Sequence, residues 1–181
     1  MESIGFLEFN SIAKGIEAAD AVIKAAAVRL LSAKAGCPGK YYLLFCGEVA
    51  AVQASLDAGK NIGGKYIVDN CVIPRVHPQV IRAIGMAGMP EQTGAIGVME
   101  FFSVTASIYG ADAAVKAADV SLIDVRLGTG IGGKSFVTLT GDVAAVTESI
   151  RCGTSTPNAE GMLVSSVVIP HPAPELFGSL L

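Results

Sequence analysis

The residues with the clearest chemical potential in this chain are four in succession, Cys37, Pro38, Gly39 and Lys40. Gly36 precedes them, and the two glycines favour a tight turn because glycine tolerates backbone angles that other residues resist. Pro38 fixes its own φ and lacks an amide proton, which restricts the turn further. Such a turn presents a thiol at its tip. One cysteine makes a poor metal site, whereas three copies brought together by a symmetry axis would make a good one.

The segments on either side of this turn must position the thiol. Residues 28–34 and 40–46 are short, largely apolar runs bounded by turn residues, and this pattern predicts two β-strands. The turn therefore lies at the end of a predicted hairpin, clear of a packed core.

The remaining cysteines are Cys46, Cys71 and Cys152, and no Cys-x-x-Cys spacing joins any of them into a metal motif within one chain. Cys46 and Cys71 fall in apolar segments, where cysteine behaves as a small hydrophobe. His77 and His171 lack ligand spacing to each other, so we expect them at the surface. No Ser/His/Asp set, catalytic carboxylate pair or nucleotide fingerprint is evident, and the sequence predicts a protein that is not an enzyme.

Composition narrows the class of protein. Half of the 181 residues are hydrophobic (51%) and only 16% are charged, which predicts an oligomer that covers apolar surface between chains. The net charge of −3 and the absence of basic runs argue against nucleic-acid or membrane partners. No apolar run is long enough to span a bilayer, and no signal peptide begins the chain. We therefore expect a cytosolic protein with reduced cysteines.

An internal repeat covers nearly the whole chain. Each motif of the first half returns in the same order in the second half. The matched pairs are residues 5–9 and 97–101, 19–21 and 111–113, 24–26 and 116–118, 47–52 and 141–146, and 72–74 and 168–170.

Both halves predict the strand and helix order βαββαβ, the ferredoxin-like α+β pattern. We expect two tandem domains over residues 1–88 and 95–181, with the intervening residues as a linker. A short helix over 78–86 follows the last strand of the first domain. Apolar residues at helical spacing predict the core-facing side of the first helix in each domain, namely Ile12, Ile16, Ala19, Ile23 and Ala26, and then Val104, Ile108, Ala111, Val115 and Ala118.

These motifs resemble the bacterial microcompartment shell domain. Gly-x-x-Glu, Lys-Ala-Ala, Gly-(Asp/Glu)-Val-x-Ala-Val and Val-Ile-Pro occur in both halves, in the unpermuted order. The resemblance is strongest to the tandem-domain shell proteins of propanediol-utilisation compartments. Further matches are residues 11–15, the turn at 37–40 and residues 130–134. The resemblance implies a homotrimer that imitates the hexameric tile of single-domain relatives.

The same resemblance assigns roles to individual residues. It places Cys37 at the central pore, where three copies hold one [4Fe–4S] cluster per trimer. Glycine-rich turns aim backbone amides into an anion-binding concavity, so Gly36 and Gly39 are expected to contact the cluster. The pore lining is expected to comprise Pro38, Thr129, Gly130, Ile131 and Gly132. The edge of the tile is expected to carry Lys24, Arg75 and Lys116; the second half lacks an arginine equivalent to Arg75.

The resemblance implies a structural tile in the shell of a microcompartment within the cytoplasm. Its expected partners are other shell proteins and enclosed redox enzymes, with electron transfer across the shell as its task and cluster delivery as a variant. Two alternatives remain open. One is a purely structural tile with a metabolite pore and a free Cys37, and the other is a trimeric small-molecule sensor with the same topology.

Overall fold

The computed structural model describes residues 2–85, 90 and 94–180, and the chain divides into two units, Met1–Val76 and His77–Leu181. In the first unit, four antiparallel strands form a sheet in the order β2-β3-β1-β4. Two helices pack on this sheet, and the 3-10 turn Gly64–Tyr66 precedes the last strand. The elements are β1 Ser3–Phe9, α1 Ile12–Ala25, β2 Arg29–Gly36, β3 Lys40–Gly47, α2 Val49–Gly63 and β4 Ile67–Ile73.

The second unit repeats this topology with the strand order β6-β7-β5-β8, again antiparallel throughout. A 3-10 turn, Pro157–Ala159, precedes its last strand. These two sheets confirm the predicted α+β fold with two βαββαβ repeats. The elements are α3 Pro78–Ile84, β5 Ala95–Phe101, α4 Val104–Ala117, β6 Val120–Leu127, β7 Ser135–Gly141, α5 Val143–Thr154, β8 Leu163–Ile169 and α6 Pro174–Leu180.

Serine caps fix the start of the first helix in each repeat. The Ser11 hydroxyl accepts a hydrogen bond from the Lys14 amide at 3.4 Å, and the Ser103 hydroxyl accepts one from the Ala106 amide at 3.2 Å. Each serine thereby satisfies an amide that has no partner within its helix. The shared cap explains why α1 and α4 begin at equivalent places in the repeat.

The core of the first unit lies between its helices and one face of its sheet. Large side chains such as Leu7, Phe9 and Phe45 are fully buried there. Helix α1 approaches the sheet through small residues: a methyl group on Gly15 would lie 2.4 Å from the Tyr41 ring. Close approach of the helix therefore depends on a residue without a side chain.

The predicted core-facing side of α1 is wrong in the structure. Ile12, Ile16 and Ile23 are exposed. Of the predicted residues Ala19 is buried, together with Gly15, Ala18 and Val22, which the prediction did not include. The physical reason is the small-residue contact with the sheet, which turns the bulky isoleucines outwards. The equivalent prediction for α4 is confirmed for its first four members, Val104, Ile108, Ala111 and Val115, which are all buried.

Helix α3 packs with the second unit, against α4 and β6. The His77 amide donates to Asp112 Oδ1 at 2.8 Å. The Gln79 side chain binds the backbone of β6 twice, donating to the Val120 carbonyl at 3.2 Å and accepting from the Leu122 amide at 2.9 Å. The predicted range 1–88 places this helix in the first domain, although its contacts are with the second repeat.

Some predicted bounds differ from the structure. Strand β2 continues to Gly36, two residues beyond the predicted end, because Gly36 still pairs with Lys40 of β3. Helix α3 ends at Ile84, and Met86, where the prediction ended it, lies outside the described residues, as does most of the predicted linker. Among the described residues, no helix has the length and apolarity needed to cross a membrane.

Candidate metal-binding turn

The turn that carries Cys37 joins β2 to β3. Gly36 and Lys40 pair across the hairpin, and the three residues between them form the connection. Gly39 has φ +77, a left-handed conformation that favours glycine, as predicted. Cys37 is half-buried, whereas Pro38 and Gly39 are exposed. The thiol is thus carried by a short connection at the end of the hairpin.

The buried side chain of Tyr42 is bonded to this turn. Its ring is 2% exposed and stacks on Phe6, with ring centroids 6.1 Å apart. Its hydroxyl donates a hydrogen bond to the Cys37 carbonyl oxygen at 3.2 Å. Burial raises the pKa of Tyr42 to about 12, with smaller contributions from Glu8 and Cys37, so this phenol stays protonated as a donor. The turn therefore rests on a rigid aromatic side chain.

Gly36 is required here for a different reason from the one predicted. Its φ is not positive, so backbone freedom does not explain it. A methyl group at this position would lie 2.0 Å from Tyr42 Cε2. Gly36 therefore allows the tyrosine ring to pass directly beneath the strand.

Lys40 closes the turn and pairs with a buried carboxylate. Its Nζ donates a hydrogen bond to Oε1 of Glu8, which is only 3% exposed. Burial raises the pKa of Glu8 even though Lys40 acts to lower it. The second repeat has the same anchor, with Lys134 Nζ 2.5 Å from Glu100 Oε1. Each lysine thus fixes its turn to the first strand of its own sheet.

The equivalent turn of the second repeat joins β6 to β7 and has no thiol. Three of the four predicted pore-lining residues in it, Thr129, Gly130 and Gly132, are exposed, and Ile131 is half-buried. Gly130 and Gly132 have φ +77 and +66. Glycine-rich turns can also form phosphate-binding loops, but such a loop leads from a strand into a helix. The turn described here links two strands, so it is not a loop of that kind.

The other cysteines are poorly suited to metal binding. Cys46 and Cys71 are buried, and burial raises the pKa of both thiols, that of Cys71 to about 12. Burial also raises the pKa of Cys152, whose thiol donates to Glu148 at 3.3 Å. A thiolate is the form that binds metals, so these three thiols favour the protonated state.

Within the described part of one chain, no three His, Cys, Asp or Glu side chains gather at a distance suitable for a metal ion. A site at Cys37 therefore requires copies of this turn from other chains.

The predicted edge residues lie on different elements. Lys24 is exposed in the last turn of α1 and pairs with Asp20 at 2.6 Å. Lys116, its equivalent in α4, pairs with Asp112 at 2.5 Å. Arg75 is exposed with φ +51, an uncommon conformation for a residue other than glycine.

Sequence reasoning missed Tyr42 as part of the site. A signal was available, because the equivalent residue in the second repeat is Phe136. The hydroxyl therefore occurs only in the repeat whose turn contains a cysteine. His77 was predicted as a surface residue, and the structure shows that it is half-buried and that its Nδ1 accepts from the Gln79 amide at the start of α3.

The repeats, their sheets and this turn define a protein of the microcompartment shell class. The BMC domain family matches the chain twice, over residues 3–76 and 95–172, and the chain belongs to this family. It is therefore a structural component of the shell of a bacterial microcompartment, which lies in the cytoplasm, and it is not an enzyme.

Individual relatives support this membership. The bacterial microcompartment shell protein PduT of Citrobacter freundii is 42% identical, over 94% of this chain and 93% of its own length. The shell protein EutM of Escherichia coli is 36% identical over 49% of this chain and 95% of its own length, so the match covers about half of this chain.

Two solved structures are similar. A microcompartment protein from Desulfitobacterium hafniense has a TM-score of 0.94 and 53% identity, covering 98% of this chain and 99% of that one. The fused permuted hexameric shell protein MSM0275 has a TM-score of 0.62 and 24% identity, covering 84% and 81%, and it supports the fold alone.

Proposed function

We propose that three copies of this chain form a shell tile whose central pore holds one [4Fe–4S] cluster through Cys37 of each copy. The cluster serves electron transfer across the shell, between the cytosol and redox enzymes inside. The observation that carries the proposal is the Cys37 turn: a partly accessible thiol at the end of a hairpin, in a chain whose other thiols have pKa values raised by burial.

The trimer follows from counting domains. Each chain contains two BMC domains, and three chains supply the six domains of a hexagonal tile. The two turns of the chain would then alternate around the pore, and only the first contributes a thiol. A ring of three cysteines results, one from each chain.

The residues of the turn fit an anionic cluster with thiolate ligands. Cys37 would hold the metal, and the exposed backbone around Gly39 offers an amide to the sulfur atoms. Tyr42 fixes the Cys37 carbonyl and so orients the cysteine before any ligand is bound. Lys40 is held by Glu8 and keeps the base of the turn in register.

When bound, a cluster of this type supplies reversible one-electron transfer, with a potential set by its charge, exposure and hydrogen bonds. Three protein ligands would leave one iron for water or a small molecule. The contribution of each chain is to hold one thiol near the axis and to bury two of the three competing thiols, Cys46 and Cys71.

A purely structural tile is the second candidate. It is favoured by the exposed second turn, where Thr129, Gly130 and Gly132 form a polar rim without metal ligands. In that case Cys37 is a free thiol and the pore passes small metabolites.

Iron and sulfide analysis after anaerobic reconstitution separates the two candidates. We expect about four irons per three chains in the wild type and none in Cys37→Ser, since a hydroxyl is a poor ligand for iron–sulfur clusters. Cys152→Ser is the matched control, because Cys152 is also partly exposed, and it should retain full iron. Full iron content in Cys37→Ser, or a wild type that takes up no iron and sulfide, would leave the structural tile as the better account.

A further inference from the structure

Equivalent surfaces of the two repeats differ sharply in exposure. In the second unit, the outer side of α4 and the adjacent part of β6 are buried, whereas the same positions of α1 and β2 in the first unit are exposed. The exposed fractions are 56% for Ile16 against 0% for Ile108, 46% for Ile23 against 8% for Val115, and 39% for Leu30 against 3% for Leu122. We call the exposed surface formed by Ile16, Ile23 and Leu30 the α1–β2 face.

The second unit shows what covers this type of surface. Helix α3 packs against α4 and β6, with Val80 and Ala83 fully buried. Asp112 anchors the start of α3 through the His77 amide, and Gln79 binds the edge of β6. The covering elements are thus this short helix, which follows the Val-Ile-Pro motif of the first repeat, and the 3-10 turn Pro157–Ala159, which also packs against α4.

A second helix of the same kind follows the second repeat. Val-Ile-Pro precedes α3 as residues 72–74 and precedes α6 as residues 168–170, and both helices begin with proline four residues after the proline of that motif. Pro78 and Pro174 therefore occupy equivalent places. Leu176 stands in α6 where the buried Val80 stands in α3, which conserves an apolar side chain at the contact position.

We propose that α6 of one copy docks on the α1–β2 face of a second copy, as α3 docks on α4 and β6. The inference rests on the proposed trimer and supplies the contact that joins its chains. The apolar side chain of Leu176 covers the region of Ile23 and Leu30. Burial of such side chains is favourable at about 25 cal/mol per Å² of apolar surface removed from water.

The polar anchors of α3 have counterparts at this joint. Asp20 is the equivalent of Asp112, and Ala173 is the equivalent of His77, so the Ala173 amide donates to Asp20 of the second copy. Glu175 replaces Gln79. Its carboxylate accepts from the Leu30 amide but lacks the N–H that Gln79 donates to the strand carbonyl.

This contact is heterologous, because α6 and the α1–β2 face are different surfaces of the chain. Each copy supplies one helix and one face, so identical contacts continue from copy to copy and close when the rotation permits a ring. With two BMC domains per chain, closure after three copies gives six equivalent positions. Three contacts between chains, each made by one α6, then close the ring.

Engineered cysteine pairs test the joint directly. Asp20→Cys with Ala173→Cys places one thiol on each side of the proposed contact, in a Cys37→Ser and Cys152→Ser background that leaves only the buried Cys46 and Cys71. The matched control is Asp112→Cys with His77→Cys, whose positions are neighbours within one unit. After mild oxidation, we expect covalent two-chain and three-chain species from the first pair and a cross-linked single chain from the control.

The outcomes separate this inference from the proposed trimer. Native mass of the background protein is measured first. Suppose that the background protein has the mass of three chains and the control pair reacts. If the first pair then cross-links only within single chains, or does not cross-link, the docking of α6 is overturned but the proposed trimer is not. A background protein that is monomeric at micromolar concentration overturns the trimer and the joint together.

A surface substitution gives an independent measurement. Ile23→Asp places a charge in the α1–β2 face without touching the core of its own unit, because Ile23 is exposed there. We expect at least a tenfold increase in the dissociation constant of the trimer. Val49→Asp, an exposed apolar residue at the start of α2, is the control and should keep the wild-type constant. Equal constants for the wild type and Ile23→Asp contradict the proposed face.

Discussion

Gly36→Ala should destabilise the first unit through a single steric overlap. The added methyl carbon would lie 2.0, 2.7 and 2.9 Å from three atoms of the Tyr42 ring. Carbon atoms in contact prefer about 3.5–4.0 Å, so the closest pair overlaps by about 1.5 Å. The ring has no free space to enter, because it is buried, stacked on Phe6 and bonded to the Cys37 carbonyl. Overpacking of this kind costs about 1–3 kcal/mol, and we expect the upper part of that range.

A double-mutant cycle isolates this overlap. Tyr42→Val removes all three ring atoms that the methyl group would meet. In that background the cost of Gly36→Ala should fall close to zero, because the backbone of Gly36 suits any residue, and the coupling free energy should be about 1–3 kcal/mol. Gly39→Ala is the control. Its cost comes from φ +77 with no atom nearby, so it should be the same in both backgrounds.

The free energy of unfolding is measured by urea titration at a fixed chain concentration, followed by circular dichroism because the chain has no tryptophan. The reasoning is refuted if Gly36→Ala is as stable as the wild type. It is also refuted if the substitution costs the same with and without the Tyr42 ring.

Three further predictions concern the anchor, the edge and the support of the turn. Burial raises the pKa of Glu8 in the folded state above its usual value of 4.5. The contribution of Glu8 to stability is therefore complete below pH 4.5 and is lost as pH rises through the folded-state pKa. Glu8→Gln should remove this pH dependence of the free energy of unfolding, which amounts to about 1.4 kcal/mol for each unit by which the pKa is raised. Lys24→Glu should abolish two-dimensional sheets in electron microscopy while leaving the mass of the assembly unchanged, because it reverses the charge at a repeated contact, and Lys60→Glu should leave the sheets intact. Tyr42→Phe should cost about 1 kcal/mol of unfolding free energy in urea titration because the Cys37 carbonyl loses its buried donor.

The sequence was sufficient to predict the two repeats, their strand order and the turn that carries Cys37. Recurring motifs determine these features locally, and the family match confirms their class. Strand ends shifted by one or two residues, as at Gly36, because pairing across a hairpin continues until the turn geometry stops it.

The buried side of α1 could not be predicted in the same way. Both sides of this helix carry apolar residues, and helical spacing does not distinguish a surface that meets its own sheet from one that meets another chain. Small residues such as Gly15 and Ala18 decided the outcome, because they allow the closest approach to the sheet. In α4 the spacing was sufficient, since α3 and the 3-10 turn Pro157–Ala159 pack on this helix.

The hydrogen bond from Tyr42 to the Cys37 carbonyl also could not be predicted from the sequence pattern. Alternation along β3 predicts a buried or exposed side chain, but not a hydroxyl that reaches back to the carbonyl five residues earlier. That contact depends on the missing side chain at Gly36, where a methyl group would meet the Tyr42 ring. Comparison of the two repeats at this position, Tyr42 against Phe136, is the part of the signal that a sequence does contain.

Native mass spectrometry of the anaerobically reconstituted wild type tests the central claim most directly, because it counts chains and metal in one measurement. We expect a single dominant species with the mass of three chains, four irons and four sulfides. The same measurement on Cys37→Ser should give three chains with no added mass. A wild-type trimer that carries no iron and sulfide, or a bound cluster in an assembly of any other number of chains, would contradict the account.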